Sequence, residues 1–545
     1  PVQLHYVEVW EPNMHDPSGD LRRLREALER EWHLKNLRFG PGMLLSLQKV
    51  LRKGDWKVTV AVDYLGQVIT VNPGFKESLC GLAVDVGSTT VAVHLCNLRT
   101  GEVLASAGMM NPQIRFGEDL MSRVSYVMMH PDGDVEMTKV IRETINKLAE
   151  NVVTVANRKL DEIVEVTIVG NPIMHHLLLG INPIELGGAP FALATDESVR
   201  IRARDLKLNL NTNTRCYILP CIAGHVGADT AGMILSEAPH KREARTLLVD
   251  IGTNAEIVLG NKERLLAASS PTGPAFEGAQ ISCGQRAASG AIERVRIDKN
   301  TLEPKFKVIG CDLWSDETGF FEHTKKTGIT GICGSGIIEA IAEMYLAGVI
   351  TQDGVINGSI AEKSKRIIKE KRTYIYILYD GKQKIHISQN DVRAIQLAKA
   401  ALYAGIRLLM VRLGIESVDR IRLAGAFGNQ IEPKFAMILG LIPDCNLKHV
   451  SSAGNAAGTG ARIALLNHES RNEIEEVVRQ VEKVETAVES DFQQHFVNAM
   501  AFPNKIDKFP NLAKEVELPS ENMNENTNKI AVATSKRRRR KKSNL

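Results

Sequence analysis

The sequence predicts an α/β protein in which one β-β-β-α-β-α unit occurs twice, behind a small α+β module. Three observations predict it. Apolar runs flank the turn Asp85-Val86-Gly87-Ser88-Thr89-Thr90, a second turn of the same design stands at Asp250-Ile251-Gly252-Thr253-Asn254, and each begins a meander of strands. A later apolar strand ends in Gly425-Ala426-Phe427-Gly428. At 545 residues the chain exceeds what one hydrophobic core serves, which agrees with several lobes.

The first 39 residues read as a linker with one helix, 20–32, where Leu21, Leu24 and Leu28 fall at helical spacing. Residues 40–76 read as a small middle module, with a helix at 44–51 and strands at 57–63 and 67–71. The first lobe, 77–243, starts with the hairpin over 82–93 and a third strand at 103–107. A polar loop at 111–119 precedes a helix at 137–160, a strand at 165–169 and a helix at 173–179 after Gly170-Asn171-Pro172.

The second lobe, 244–504, repeats the order with strands at 245–249, 255–259 and 264–268 and a helical segment around Ala275. Gly331-Ile332-Cys333-Gly334-Ser335-Gly336 opens a helix over 337–347. Asp380-Gly381 closes a hairpin of 374–379 with 384–387, and Ser388 with Asp391 caps a long helix carrying Val392, Ile395, Leu402, Ile406 and Leu409 on one face. Residues 454–460 are glycine-rich and serve close helix packing or approach to a nucleotide. From 505 onward the polar, Asn- and Lys-rich composition predicts disorder.

Composition narrows the function classes. The apolar share of 44% and charged share of 24% are those of a globular chain, and no uninterrupted apolar run reaches the roughly 18 residues of a membrane span. Eight cysteines without a C-x-x-C pair give neither zinc nor cluster spacing, and they favour a reduced, cytoplasmic setting. The seven cations of 536–542 exceed the net charge of +4, so the rest of the chain is acidic and nucleic acid is not an expected partner.

The two turns carry the chemistry. Small residues let backbone N–H groups approach an anion, and a carboxylate beside them holds hydrated Mg²⁺. Asp85 with Gly87, Ser88, Thr89 and Thr90, and Asp250 with Gly252, Thr253 and Asn254, are expected to grip one triphosphate from opposite sides. Gly425, Ala426, Phe427 and Gly428 offer backbone against which an adenine lies flat. Asp229 is a candidate for orienting the attacking water, and Glu277 either touches the ribose or stabilises a helix start. His175-His176 lacks a metal-binding pattern and reads as structural; Cys333 and Cys283 read as small packed residues.

On these residues the chain resembles the actin/Hsp70/sugar-kinase superfamily of ATPases, with ribonuclease H-like lobes. Val169-Gly170-Asn171 and 331–336 match its connecting segments. Within that superfamily it resembles the reductive activators of corrinoid-dependent enzymes, through Asn111-Pro112-Gln113, Gly117-Glu118-Asp119, Gly227-Ala228-Asp229, 273–278 and 454–460. The resemblance covers roughly residues 1–504. It implies ATP and Mg²⁺ as cofactors, an electron donor and a corrinoid protein of a methyltransferase system as partners, and return of inactive Co(II) to Co(I). It also implies a [2Fe-2S] domain upstream of residue 1 and a homodimer. Two other readings stand beside it: a small-molecule kinase of the same superfamily, and a nucleotide-gated binding module that does not hydrolyse.

Overall fold

The computed structural model describes residues 2–428 and 430–519. They form two compact units. Among the described residues, unit 1 holds those up to Ala238 together with Ala456–Val481, and unit 2 holds Pro239–Asn455 and residues 482–519.

Unit 1 begins with a four-stranded sheet in the order Gln3–Glu8, Lys57–Val62, Gln67–Pro73, Arg38–Phe39. The first strand pairs antiparallel with the third strand of the sequence, Val7 opposite Val58. Expected boundaries at residue 39 therefore dissolve: the linker strand and the middle module share one sheet and one core, which buries Val7, Leu24, Leu28, Leu51 and Val60. Burying those side chains together is worth far more than either piece gains alone.

The larger sheet of unit 1 runs Val103–Met110, Thr90–Asn97, Cys80–Val86, Ile163–Gly170, Arg215–Ile218, Val199–Arg202. The meander is antiparallel, and Cys80–Val86 lies parallel to Ile163–Gly170, so both strands end on the same side of the sheet. The helix expected at 137–160 spans Gly133–Val155. The expected polar loop at 111–119 contains a 3₁₀ turn, Pro112–Phe116, and leads into a further helix, Leu120–Met129, whose start is fixed by a capping box between Asp119 and Ser122.

Unit 2 repeats the meander in a sheet ordered Val450–Gly454, Arg420–Ala424, Thr246–Ile251, Ala255–Gly260, Leu265–Ser270, Glu482–Lys483. The glycine segment opens the helix Gly334–Leu346, and the helix around Ala275 is a single 3₁₀ turn, Pro274–Glu277. The capped helix Gln389–Leu413 is present, with its Ser388–Asp391 box. It is long and apolar enough to cross a membrane, but 78% of its apolar window is buried inside the unit, where Val392, Ile395, Leu402, Ile406 and Leu409 face the core.

Two expectations about the C-terminal part are corrected. The stretch expected to belong wholly to the second lobe returns to unit 1 at the helices Ala456–Leu466 and Glu469–Gln480. The helix Ala456–Leu466 packs backbone to backbone on Ala228–Glu237: a Cβ on Gly460 would overlap the Gly232 carbonyl, and one on Gly232 would stand 2.8 Å from the Ala457 oxygen. Arg471 then pairs with Glu165 at 2.7 Å, both side chains under 5% exposed. Its position in the chain, after the second lobe's strands, placed this region in that lobe, whereas it packs on the first lobe.

The expected start of disorder at 505 is also too early. Phe509 and Leu512 are buried, and the amides of Asn511 and Leu512 donate to the Asp444 carboxylate. The basic run at 536–542 lies outside the described residues.

Because the Arg471–Glu165 pair is buried, removing one partner strands a charge. Arg471→Met is expected to lower unit stability by about 3 kcal/mol, whereas Arg412→Met, which breaks the more exposed pair with Glu489, costs under about 1 kcal/mol. Chemical denaturation of the two variants measures the difference.

Candidate functional site

Both Asp-x-Gly turns have carbonyls held and amides presented. In unit 1 the register sets Asp85 opposite Ala92 and Val86 opposite Val91, which leaves Gly87, Ser88 and Thr89 to reverse the chain. The Gly87 N–H donates to the Thr90 carbonyl at 3.0 Å, and a Cβ on Gly87 would meet that oxygen at 2.5 Å, so only glycine fits.

The three turn carbonyls are all engaged. Asn111 Nδ2 donates to Gly87 O at 2.9 Å, Arg123 Nη2 to Ser88 O at 2.6 Å and the Asn111 N–H to Thr89 O at 2.8 Å. Among the described residues, the Ser88 and Thr89 N–H groups donate to no protein acceptor. Two consecutive amides free to donate beside a half-buried carboxylate, Asp85, form a cradle that fits a phosphate group.

Unit 2 builds the same arrangement with other side chains. The Gly252 N–H donates to Asn254 O at 3.2 Å, the Thr272 hydroxyl lies 2.9 Å from Gly252 O and 3.0 Å from Thr253 O, and the Gly273 N–H donates to Thr253 O at 2.9 Å. Again, among the described residues, the Thr253 and Asn254 amides have no acceptor. The Thr253 hydroxyl donates to Glu277 Oε1 at 3.0 Å, so Glu277 fixes the turn's own side chain.

The parallel register sets Asp250 beside Ala424, and the chain then turns through Gly425 at φ +83°. A Cβ on Gly425 would overlap Asp250 Oδ1. The carboxylate thus lies directly against the glycine turn, joining two segments far apart in sequence. Phe427 goes elsewhere: its ring stacks on Phe276 at 5.5 Å and covers Gly334, where a Cβ would stand 2.5 Å from the ring. It therefore holds the turn to its neighbours.

Asp229 sits in the first turn of the helix Ala228–Glu237, accepting from the Thr230 N–H at 2.7 Å. Gly227, just before it, packs on Gly170 and Asn171 at the end of the strand Ile163–Gly170; a Cβ there would stand 2.6 Å from Asn171 Cα. Since that strand end adjoins Val86, Asp85, the phosphate-type turn and Asp229 lie at the C-terminal ends of the two central strands of the unit 1 sheet. Burial pushes the Asp229 carboxyl up to about 6, offset in part by the Thr230 hydrogen bonds.

Other candidates resolve to packing. His176 lies between the Pro172 carbonyl, 2.9 Å from Nδ1, and the Ala194 N–H, 3.0 Å from Nε2, which fixes it neutral. Cys333 is buried with its thiol directed to Ile292 O. A cavity of about 860 Å³ in unit 2, lined by Tyr403, Arg407, Arg420, Lys448 and Asp507, opens at the N-terminal ends of the strands Thr246–Ile251 and Arg420–Ala424, away from Asp250. Sequence reasoning missed the anchors Asn111, Arg123 and Thr272. The first two lie in or just beyond the distinctive segments 111–119, whose spacing from the turn was the available signal.

Comparison with known proteins bears on this geometry. Residues 1–78 match the RACo linker region, 80–242 the RACo middle region and 244–513 the C-terminal domain of RACo, the ASKHA domain. The chain is 34% identical over 443 residues to the corrinoid activation enzyme RamQ of Eubacterium limosum, covering 79% of this chain and 72% of the relative. It is 25% identical over 417 residues to the [Co(II) methylated amine-specific corrinoid protein] reductase of Methanosarcina barkeri, covering 74% of this chain and 72% of that one. A solved structure of a reductive activator for corrinoid, iron-sulfur protein superposes with a TM-score of 0.80 at 33% identity, over 92% of this chain and 79% of that one. With its duplicated α/β architecture and its linker, middle and ASKHA regions in order, the chain belongs to the RACo family of reductive activators.

Proposed function

We propose that the protein is an ATP-dependent reductive activase that returns an inactive Co(II) corrinoid protein of a methyltransferase system to Co(I). The observation that carries this reading is the pair of turns at Asp85 and Asp250, each with its carbonyls tied back and two amides presented, in a chain of the RACo family.

The residues take roles that follow from their chemistry. Asp85 and Asp250 would hold Mg²⁺ through its water, the Ser88, Thr89, Thr253 and Asn254 amides with the Ser88, Thr89 and Thr90 hydroxyls hold phosphate oxygens, and Gly87 and Gly252 shape the two turns. Gly425 and its neighbours through Gly428 receive the adenosine against bare backbone. Glu277 orients the Thr253 hydroxyl. Asp229, when ionised, accepts a proton from the water that attacks the γ-phosphorus, whose bond to the bridging oxygen of ADP breaks.

Reduction of the corrinoid is a separate, one-electron step, Co(II) to Co(I), and it is uphill. An electron donor supplies the electron, and a [2Fe-2S] cluster is the donor we propose. Nucleotide binding drives the corrinoid protein toward the conformation in which the cobalt is more readily reduced, a coupling of two equilibria. We place this activity in the cytoplasm.

Phosphate release with and without a cognate corrinoid protein tests the reading. ATP turnover stimulated by the corrinoid protein, with inorganic phosphate as the product, is the expected result. Transfer of the γ-phosphate to a metabolite, with no effect of the corrinoid protein, overturns it in favour of a kinase.

A further inference from the structure

Arg123 is a cation buried without a carboxylate. Its side chain is fully enclosed, and every group it touches is neutral: Nε donates to Gly117 O at 3.0 Å, Nη1 lies 3.4 Å from both Gln113 Oε1 and Met174 Sδ, and Nη2 donates to Ser88 O at 2.6 Å. Among the described residues no acidic group lies within ion-pair distance. Burial lowers its pKa to about 10, opposed only by the field of Asp119. A charge held this way is costly, and natural interiors pair or neutralise such charges.

The position of the guanidinium explains why the cost is borne. Ser88 O and Thr89 N–H are two ends of one peptide group. The guanidinium grips the oxygen end, and among the described residues the N–H end has no acceptor. A cation on the carbonyl polarises the peptide and makes its N–H a stronger donor. The fork cannot swing away, because the Asp119–Ser122 capping box pins the helix that carries it, and Asn171 caps the helix that carries Met174.

We infer that Arg123 is the resident counter-charge for the nucleotide's phosphate, a positioning residue acting through the Ser88–Thr89 peptide. This rests on the reading of the unit 1 turn as a phosphate site. The missing anion partner of the buried cation is then the ligand itself, and binding relieves a charge imbalance present in the free protein.

The test compares Arg123→Met and Arg123→Lys in the full chain, with ATP and adenosine as probes, by titration calorimetry and thermal unfolding. Arg123→Met is expected to weaken ATP about tenfold or more, to leave adenosine within about threefold, and not to lower the melting temperature of the free protein. Arg123→Lys, which keeps the charge, is expected to retain ATP affinity within about threefold. Equal weakening of ATP and adenosine, or tenfold loss of ATP affinity in the lysine variant, overturns the inference, and the lysine variant decides alone if the methionine variant does not fold. Gly87→Val separates the two claims. If Gly87→Val binds ATP normally, the turn is not a phosphate site; if it does not bind while Arg123→Met does, only the role of Arg123 falls.

Discussion

Asp250→Ala is expected to cut ATP turnover about a hundredfold or more while moving the melting temperature by no more than about 2 °C. Asp250 is half-buried at the end of the strand Thr246–Ile251, where the chain leaves the sheet, and the apolar core beneath it is made by Val249 and Ile251. Its removal therefore takes a carboxylate from the turn without opening the core. Gly425→Ala is the matching control. The added methyl would overlap Asp250 Oδ1, and the residue's φ of +83° disfavours any side chain, so this variant is expected to lose both turnover and stability. Steady-state phosphate release with scanning calorimetry separates the two; a fall in melting temperature for Asp250→Ala as large as that of a core cavity contradicts its assignment to the site.

Asp229→Asn has an effect of comparable size and a distinctive pH signature. Burial raises the Asp229 carboxyl from 3.8 to about 6 in the folded protein. The folded state thus binds this proton more tightly than the unfolded chain does. The associated stabilisation is complete below about pH 4 and is lost as pH rises through about 6, leaving an ionised carboxylate at a cost of about 3 kcal/mol at pH 8. Asparagine carries no such cost. The variant is expected to melt higher than wild type at pH 8 and equally at pH 4, and yet to lose about a hundredfold or more in ATP turnover. The wild-type rate should rise with pH around a midpoint near 6, and this rise should vanish in the variant. A wild-type profile flat from pH 5 to 8 contradicts a role for the ionised carboxylate.

Features that depend on a few neighbouring residues were legible in the sequence. A carboxylate, a glycine and hydroxyls at the end of an apolar strand define a turn locally, and Ser388 with Asp391 defines a helix start; both stand where expected. The partners of those turns were not legible, because a carbonyl acceptor is the same in every residue and leaves no mark on the sequence. Arg123 on a helix reads as a solvated cation until the fold shows it under Ser88, and Thr272 reads as an ordinary loop residue until it meets Gly252 O.

Phe427 shows the opposite failure. Its place in a glycine-rich turn invites a ligand role, but the aromatic ring is stacked on Phe276 and covers Gly334, so it is held by packing. The return of residues 456–481 to unit 1 was hidden for a similar reason. Gly460 against Gly232 and Arg471 against Glu165 are pairings across hundreds of residues, and no local pattern announces them.

The most direct measurement of the central claim is the absorbance of Co(I) in a cognate corrinoid protein mixed, without oxygen, with this protein, Mg²⁺ and a chemical reductant too weak to complete the reduction alone. Supplying the reductant makes the outcome independent of the natural electron carrier. The account predicts that Co(I) accumulates on addition of ATP and fails to do so with Asp250→Ala. Equal Co(I) formation with and without ATP, or none with any cognate corrinoid protein, contradicts it.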